Sequence, residues 1–249
     1  MYFLNSILSN LKFIKYIYYI LKLNKLKLGT GIINHYNIFV EQRKQIKLKT
    51  SPVDLSLPWI SFLALEYIDA FIKKYPKKSL NIFEYGSGGS TLYFSDKVGS
   101  LHSVEHDLSW YKYIIKKIKL NDKFIVQLVE PEVNNDISAN RSPSVPTDYY
   151  SSLDLFKTCN FESYVKSIEN FENNYFDIIL IDGRSRVSCI LHAINKLKKG
   201  GILILDNAER ERYFESNLIK NDEFRLELDH YGALIGSPGF VKTNIYRKI

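Results

Sequence analysis

Residues 81–91, NIFEYGSGGST, constrain the fold of this chain more than any other stretch. A short apolar run reaches a carboxylate, Glu84, and then breaks into a loop containing Gly86, Gly88 and Gly89. Glycine accepts positive φ and lets a backbone approach a ligand closely. The residues that follow, STLYFSDKV, read as the first turns of a helix, whose N-terminal N–H groups point at the same place. Strand, glycine loop and helix in this order open a nucleotide-binding α/β domain. Ser87, Ser90 and Thr91 lie in the loop and first turn, and with the three glycines they are candidate ligand contacts.

The rest of the chain supplies matching parts. Before the loop, Ile60, Leu63, Ala64, Tyr67, Ile68 and Phe71 recur at helical spacing. After it, LHSVEHD (101–107) reads as a second strand ending in Glu105, 21 positions beyond Glu84. An acid at the tip of the next parallel strand can accept hydrogen bonds from ribose hydroxyls. The alternative, a helix cap, is met by Asp107, since LSWYKYIIKKIK follows it with helical spacing. KFIVQLVEP (123–131) reads as a third strand stopped by Pro131. Residues 132–160 show no clear period and read as a long loop, either a lid over a substrate or an inert insertion. FESYVKSIENF reads as a short helix. YFDIILIDG (175–183) is a buried central strand with Asp182 at its ligand-facing end. The helix VSCILHAINKLKK stops at Gly200-Gly201, and GILILD leads to Asp206-Asn207. RLELDHYG and KTNIYRK close the chain as two strand-like runs.

Charge separates the first 50 residues from the rest. They hold nine Lys/Arg and one acid, a balance of +8 against +7 for the whole chain, so the body carries −1. A nucleic-acid-binding domain would carry its positive charge on the folded body, which argues against that partner. Leu4, Ile7, Leu8, Leu11, Ile14, Tyr18 and Leu21 form a helical stripe, while Lys12 and Lys15 interrupt any membrane-spanning length. This leader is either an interfacial membrane helix or one that packs on the domain or on a second copy in a homo-oligomer. LKLNKLKL after it alternates with period two. The expected organisation is a basic amphipathic extension over 1–50 and one domain over 51–249. Cys159 and Cys189 make neither a metal pattern nor a disulfide framework, and the start lacks the marks of a secretory signal. The expected location is the cytoplasm, with peripheral contact at the inner membrane face.

Taken together, these residues resemble a class I S-adenosylmethionine-dependent methyltransferase over about residues 55–249. The resemblance rests on the acid before G-x-G (Glu84, Gly86, Gly88), the acid after the second strand (Glu105), the D-G after the fourth (Asp182, Gly183), the G-G before the fifth (Gly200, Gly201) and the final strand pair. It implies a doubly wound, mostly parallel sheet of seven strands in the order 3-2-1-4-5-7-6, the last strand antiparallel. It implies S-adenosylmethionine as cofactor. Glu84 would hold the methionine ammonium, the backbone of residues 86–89 would line the carboxypropyl arm, and Glu105 would bind the ribose. His106 and Asp182 complete the implied cofactor set. The nicotinamide fingerprint G-x-G-x-x-G would need glycine at position 91, where Thr91 stands. A pyrophosphate would also be repelled by Glu84 beside the loop.

Asp182, Asp206 and Asn207 form a second constellation, because the fourth and fifth strands are neighbours in such a sheet. The placement is similar to that of catechol-type O-methyltransferases, where a D and a D-N bind a magnesium-like ion, and hard oxygen donors suit Mg²⁺. D-N also recurs where Asp caps a loop and Asn supports a turn. Arg184, Arg186, Arg210 and Arg212 flank the same strand ends, ready to pair with an acidic acceptor or with Glu209 and Glu211. His106 and His230 are the general-base candidates of a metal-free version; His192 reads as packing, and His35 and His102 carry no signal. The expected activity is methyl transfer to a hydroxyl of a small molecule or sugar or glycan precursor. The alternatives are a nicotinamide-dependent oxidoreductase on a sugar nucleotide, which lacks its Tyr-x-x-x-Lys in the later half, and a non-catalytic membrane-docked adaptor.

Overall fold

The computed structural model describes residues 40, 44–45, 47–133, 140–234 and 240–249. The leader stripe, the alternating run after it and His35 lie outside the described residues.

The helix α1 (Phe62–Ile72) precedes the glycine loop and buries Ala64, Ile68 and Phe71 of the stripe its spacing predicts. Then β1 (Asn81–Tyr85), α2 (Gly89–Ser95), β2 (Ser100–Glu105), α3 (Leu108–Ile114) and β3 (Phe124–Leu128) alternate. A small antiparallel pair, β4 (Glu132–Val133) with β5 (Cys159–Asn160), closes the base of the long loop. α4 (Glu162–Lys166), β6 (Phe176–Ile181), α5 (Arg186–Ala193), β7 (Leu197–Asp206), β8 (Phe224–Ala233) and β9 (Phe240–Lys248) complete the chain.

Seven strands form one sheet in the order β3-β2-β1-β6-β7-β9-β8. The β1, β2, β3, β6 and β7 pairings are parallel, and β9 runs antiparallel to both neighbours. Once β4 and β5 are set aside, this is the order 3-2-1-4-5-7-6 that the resemblance implies. Strand alternation builds two cores. Phe83, Tyr85, Ile179, Ile181, Leu203 and Leu205 point to the face covered by α4 and α5. Ile82, Ile178, Leu180, Ile202 and Ile204 point to the face covered by α1 and α2. A strand buried on both faces has no room for a polar position, which is why 176–181 reads as one apolar run broken only by Asp177 near its start.

Two elements differ from the sequence expectation. The helix expected to reach Gly200 ends at Ala193, and β7 begins at Leu197, where Leu197 pairs with Phe176. Gly200 at φ +81 absorbs the register shift inside the strand instead of ending a helix. The 132–160 segment, in its described part, is a folded cover. Arg141 donates to the carbonyls of Lys157 and Cys159, Ser216 donates to the carbonyl of Ser144, and Phe156 packs on the core. Among the described residues no helix is long and apolar enough to cross a membrane.

Candidate cofactor and acceptor site

The site lies at the C-terminal ends of β1, β2, β6 and β7, where the sheet order reverses and open α/β sheets take ligands. The loop after β1 and the turn after β6 touch glycine to glycine. Gly86 takes φ +91, and a Cβ there would lie 3.0 Å from Gly183 Cα. At Gly89 a Cβ would stand 2.2 Å from the Leu57 carbonyl oxygen, because the chain before α1 crosses the start of α2. At Gly88 the space is open. The loop therefore leaves space open at Gly88 and packs closely at Gly86 and Gly89.

Glu84 is fully buried, inside a cage of hydroxyls. Ser90 Oγ donates to Oε1, and Thr91 Oγ1 and Ser103 Oγ donate to Oε2 at 2.7 and 2.8 Å. Burial outweighs these three donors and, with the charge of Glu105 added, raises the carboxyl to about 7. Glu105 lies equally deep but ends differently. Its Oε2 takes Ser87 N and Oγ at 2.9 and 3.0 Å, and its Oε1 takes the N–H groups of His106 and Asp107 at 2.8 and 2.9 Å. Burial pushes Glu105 up, but His106 and the N–H donors of Asp107 and Ser87 outweigh it and the net shift is downward. Asp107 caps α3 by accepting from Trp110 N, as expected, whereas Glu105, expected to stand free for a ligand, accepts four donors from its own loops. The loop donors are thus occupied by carboxylates and by Thr91, which accepts from Gly88 N at 2.8 Å. A loop in that condition offers few N–H groups to a pyrophosphate.

Asp182, Asp206 and the Arg186 guanidinium form the second group. Arg186 Nε donates to the Gly183 carbonyl at 3.0 Å. Its Nη2 donates to Asp182 O and Oδ1 at 3.1 and 2.9 Å, and Nη1 donates to Asp206 O. Nη1 also lies 3.7 Å from Asp206 Oδ2. Burial raises both acids. The charge of Asp182 lifts Asp206 further, and Arg186 holds both back. Asn207 sits in the left-handed region at φ 53 and turns the chain out of β7. These positions differ from the Mg²⁺ expectation for Asp182, Asp206 and Asn207. The cation between the two carboxylates is Arg186, and a divalent ion placed there would meet a guanidinium at contact distance. No group of three or more His, Cys, Asp or Glu among the described residues is placed to hold a metal. The donor set does not fit the ion.

The histidines separate. His106 Nδ1 lies 2.8 Å from Glu105 Oε1 in an off-angle approach, and Nε2 accepts from Arg184 Nε at 3.4 Å. Its ring packs among Phe156, Phe161 and Tyr164 at the mouth of the site. His230 is buried on the edge strand β8, with Nδ1 3.5 Å from Ser61 Oγ, in register with Thr243, whose Oγ1 donates to Asp206 Oδ1 at 2.9 Å. His192 is held by Glu169 at 2.7 Å and by Tyr149, as packing predicts.

No protein-family model and no curated protein matches the chain. Solved structures with a similar course include a methyltransferase-like protein from Silicibacter pomeroyi, 20% identical over 73% of this chain and 84% of that one, with a TM-score of 0.42. A precorrin-6y C5,15-methyltransferase from Geobacter metallireducens is 13% identical over 76% and 90%, with a TM-score of 0.44. An rRNA methylase from Streptococcus thermophilus is 10% identical over 74% and 96%, with a TM-score of 0.44. Likenesses this remote carry no argument about activity, and the fold rests on the order and direction of the chain's own strands.

Proposed function

We propose that the domain at 51–249 is an S-adenosylmethionine-dependent methyltransferase acting on a hydroxyl of a small molecule or sugar precursor. One observation carries this reading. Glu84, Asp182 and Asp206 are three acids at adjacent strand ends, all raised by burial, with one buried guanidinium among them. Such a group favours a ligand that brings positive charge and disfavours one that brings pyrophosphate. S-adenosylmethionine carries an ammonium and a sulfonium, and when bound it supplies an electrophilic methyl group. The backbone at Gly88 borders the space for it, Asp182 faces the cationic part, and Glu105 faces the ribose. Glu84, shut inside its hydroxyl cage, acts on the ligand through its charge.

His106 is the proposed base. Glu105 backs its Nδ1 side, and Nε2, which accepts from Arg184 Nε at 3.4 Å, would take the acceptor's proton once Arg184 turns to the ligand; the aromatic rings around it limit water. Positioning by Arg184 and the 140–160 cover would supply most of the rate through alignment. Residues 1–50 are proposed as a basic extension that meets an anionic membrane surface at the cytoplasmic face.

The test is an equilibrium titration of the full chain with S-adenosylmethionine and with NADH. S-adenosylmethionine alone should bind, and a chelator should not change its affinity. NADH binding with no S-adenosylmethionine signal would reject the reading. A pH series adds a sharper expectation. A cationic ligand favours ionised Glu84, and ionisation rises as pH passes upward through about 7. S-adenosylmethionine binding should therefore tighten between about pH 6 and 7.5 and release protons, read by calorimetry in buffers of different ionisation enthalpy. The same series on Glu84→Gln should keep only the part of the dependence that belongs to Asp182 and Asp206, which burial also raises; a variant profile identical to the parent's would remove Glu84 from the linkage.

A further inference from the structure

Among the described residues, three guanidiniums at the mouth of the site make no salt bridge to a carboxylate. Arg184 leaves the β6–α5 turn, and Arg210 and Arg212 flank the short turn after β7. The three border one cleft, closed from the other side by Tyr150, Ser151 and Ser152 of the long cover. Among the described residues no carboxylate lies within 4.0 Å of any of them, although Arg186, Arg225 and Arg247 each have one. The acids expected to pair with them by sequence are turned elsewhere or exposed: Glu209 Oε2 accepts from Lys242 N at 3.1 Å, and Glu211 lies open to solvent.

Neutral groups hold the three side chains instead. Arg210 Nη1 donates to Tyr213 Oη at 2.9 Å, and Arg212 Nη2 donates to Ser152 Oγ at 2.9 Å. Both guanidiniums lie over the Tyr213 ring, at 5.9 and 5.3 Å from its centroid. Arg184 lies over Phe156 at 5.7 Å and touches His106. Arginines fixed by rings and hydroxyls keep most of their five N–H donors for another partner. Burial and the charges of Arg186 and Arg210 push Arg184 downward against the pull of Tyr164 and Glu105, so like charges crowd this end of the cleft.

We propose that this cleft binds a tetrahedral oxyanion, a phosphoryl or sulfuryl group, carried by the methyl acceptor. The assignment deepens the methyltransferase reading and rests on it for the word acceptor. A carboxylate has two oxygens and is satisfied by one guanidinium fork, whereas three guanidiniums bordering one cleft, with Ser151 and Ser152 on its other side, offer donors for three terminal oxygens. The cleft is lined from Gly183, the residue after Asp182, and its Arg184 contacts His106 at 3.4 Å, so an anion held there would bring a neighbouring hydroxyl toward the base.

The test titrates the full chain with inorganic phosphate, sulfate and acetate at constant ionic strength, and separately with S-adenosylmethionine. Saturable binding of phosphate or sulfate is expected, weakened about tenfold in Arg210→Gln and in Arg212→Gln, the loss of one charge-assisted bond. The phosphate and sulfate arms identify which group is preferred. S-adenosylmethionine affinity should stay unchanged in both variants. Phosphate and sulfate that fail to bind, or that bind both variants as they bind the parent, would overturn the proposal, as would acetate bound equally well. Arginine-dependent phosphate binding in a protein that ignores S-adenosylmethionine would uphold the anion site and reject the methyl-transfer reading.

Discussion

Replacing Arg186 with methionine is expected to cost the folded state about 3–5 kcal/mol, the range for stripping one partner from a buried ion pair. Methionine fills much of the same volume, so the loss isolates the guanidinium from the packing. That guanidinium serves the carbonyls of Asp182, Gly183 and Asp206 and the Asp182 carboxylate, all close to the sheet's ligand edge. Without it the half-buried Asp182 and the buried Asp206 face each other, and Glu84 adds its own charge to Asp182. The pH dependence identifies the cause. Arg186 lowers the folded-state titration of both acids, so its removal lets them rise further. The folded variant then keeps protons that the folded parent releases, and its stability falls more steeply as pH rises. Urea midpoints should differ modestly at pH 5 and widely at pH 8. Arg186→Lys keeps the charge but cannot reach all the acceptors, and should fall between the two. A methionine variant as stable as the parent at pH 8 would show that the acids are solvated or paired by something else.

The alternation of strands and helices was legible because strands buried on both faces leave a dense apolar record, as at 176–181, and because glycine punctuates them. The acids at the strand tips were legible for the same reason, since they stand where that record stops. Their partners were not. The cage around Glu84 takes one hydroxyl from Ser103 on the neighbouring strand, a contact set by the β1–β2 register and invisible in the local pattern. Four arginines near two strand ends looked alike in sequence. One turns inward between Asp182 and Asp206, and three remain at the cleft. The spacing of Asp182 and Arg186, i to i+4, was a usable sign of the inward one. The 132–160 segment showed no period because its described part is ordered by contacts to distant elements, among them Arg141 to strand carbonyls and Phe156 to the core.

Glu105→Ala is expected to weaken S-adenosylmethionine binding by at most about 1.5 kcal/mol, from one charge-assisted bond, or up to about tenfold. The geometry adds a condition to that number. Each Glu105 oxygen already accepts two donors, so the carboxylate is full. The three backbone N–H groups among them belong to the fold and stay. The Ser87 hydroxyl at 3.0 Å is the donor that can leave by rotating about one bond. A ribose hydroxyl would take its place on Oε2, exchanging one O–H donor for another at little net gain. Ser87→Ala removes that competitor in advance, so it should bind S-adenosylmethionine as tightly as the parent or about 2–5-fold more tightly, within the net value of one neutral hydrogen bond. If Glu105 only organises the loop, the prediction reverses: Ser87→Ala would loosen the same loop and lose affinity along with Glu105→Ala. Calorimetry on the two variants separates these cases, and parallel losses in both would withdraw Glu105 from the ribose.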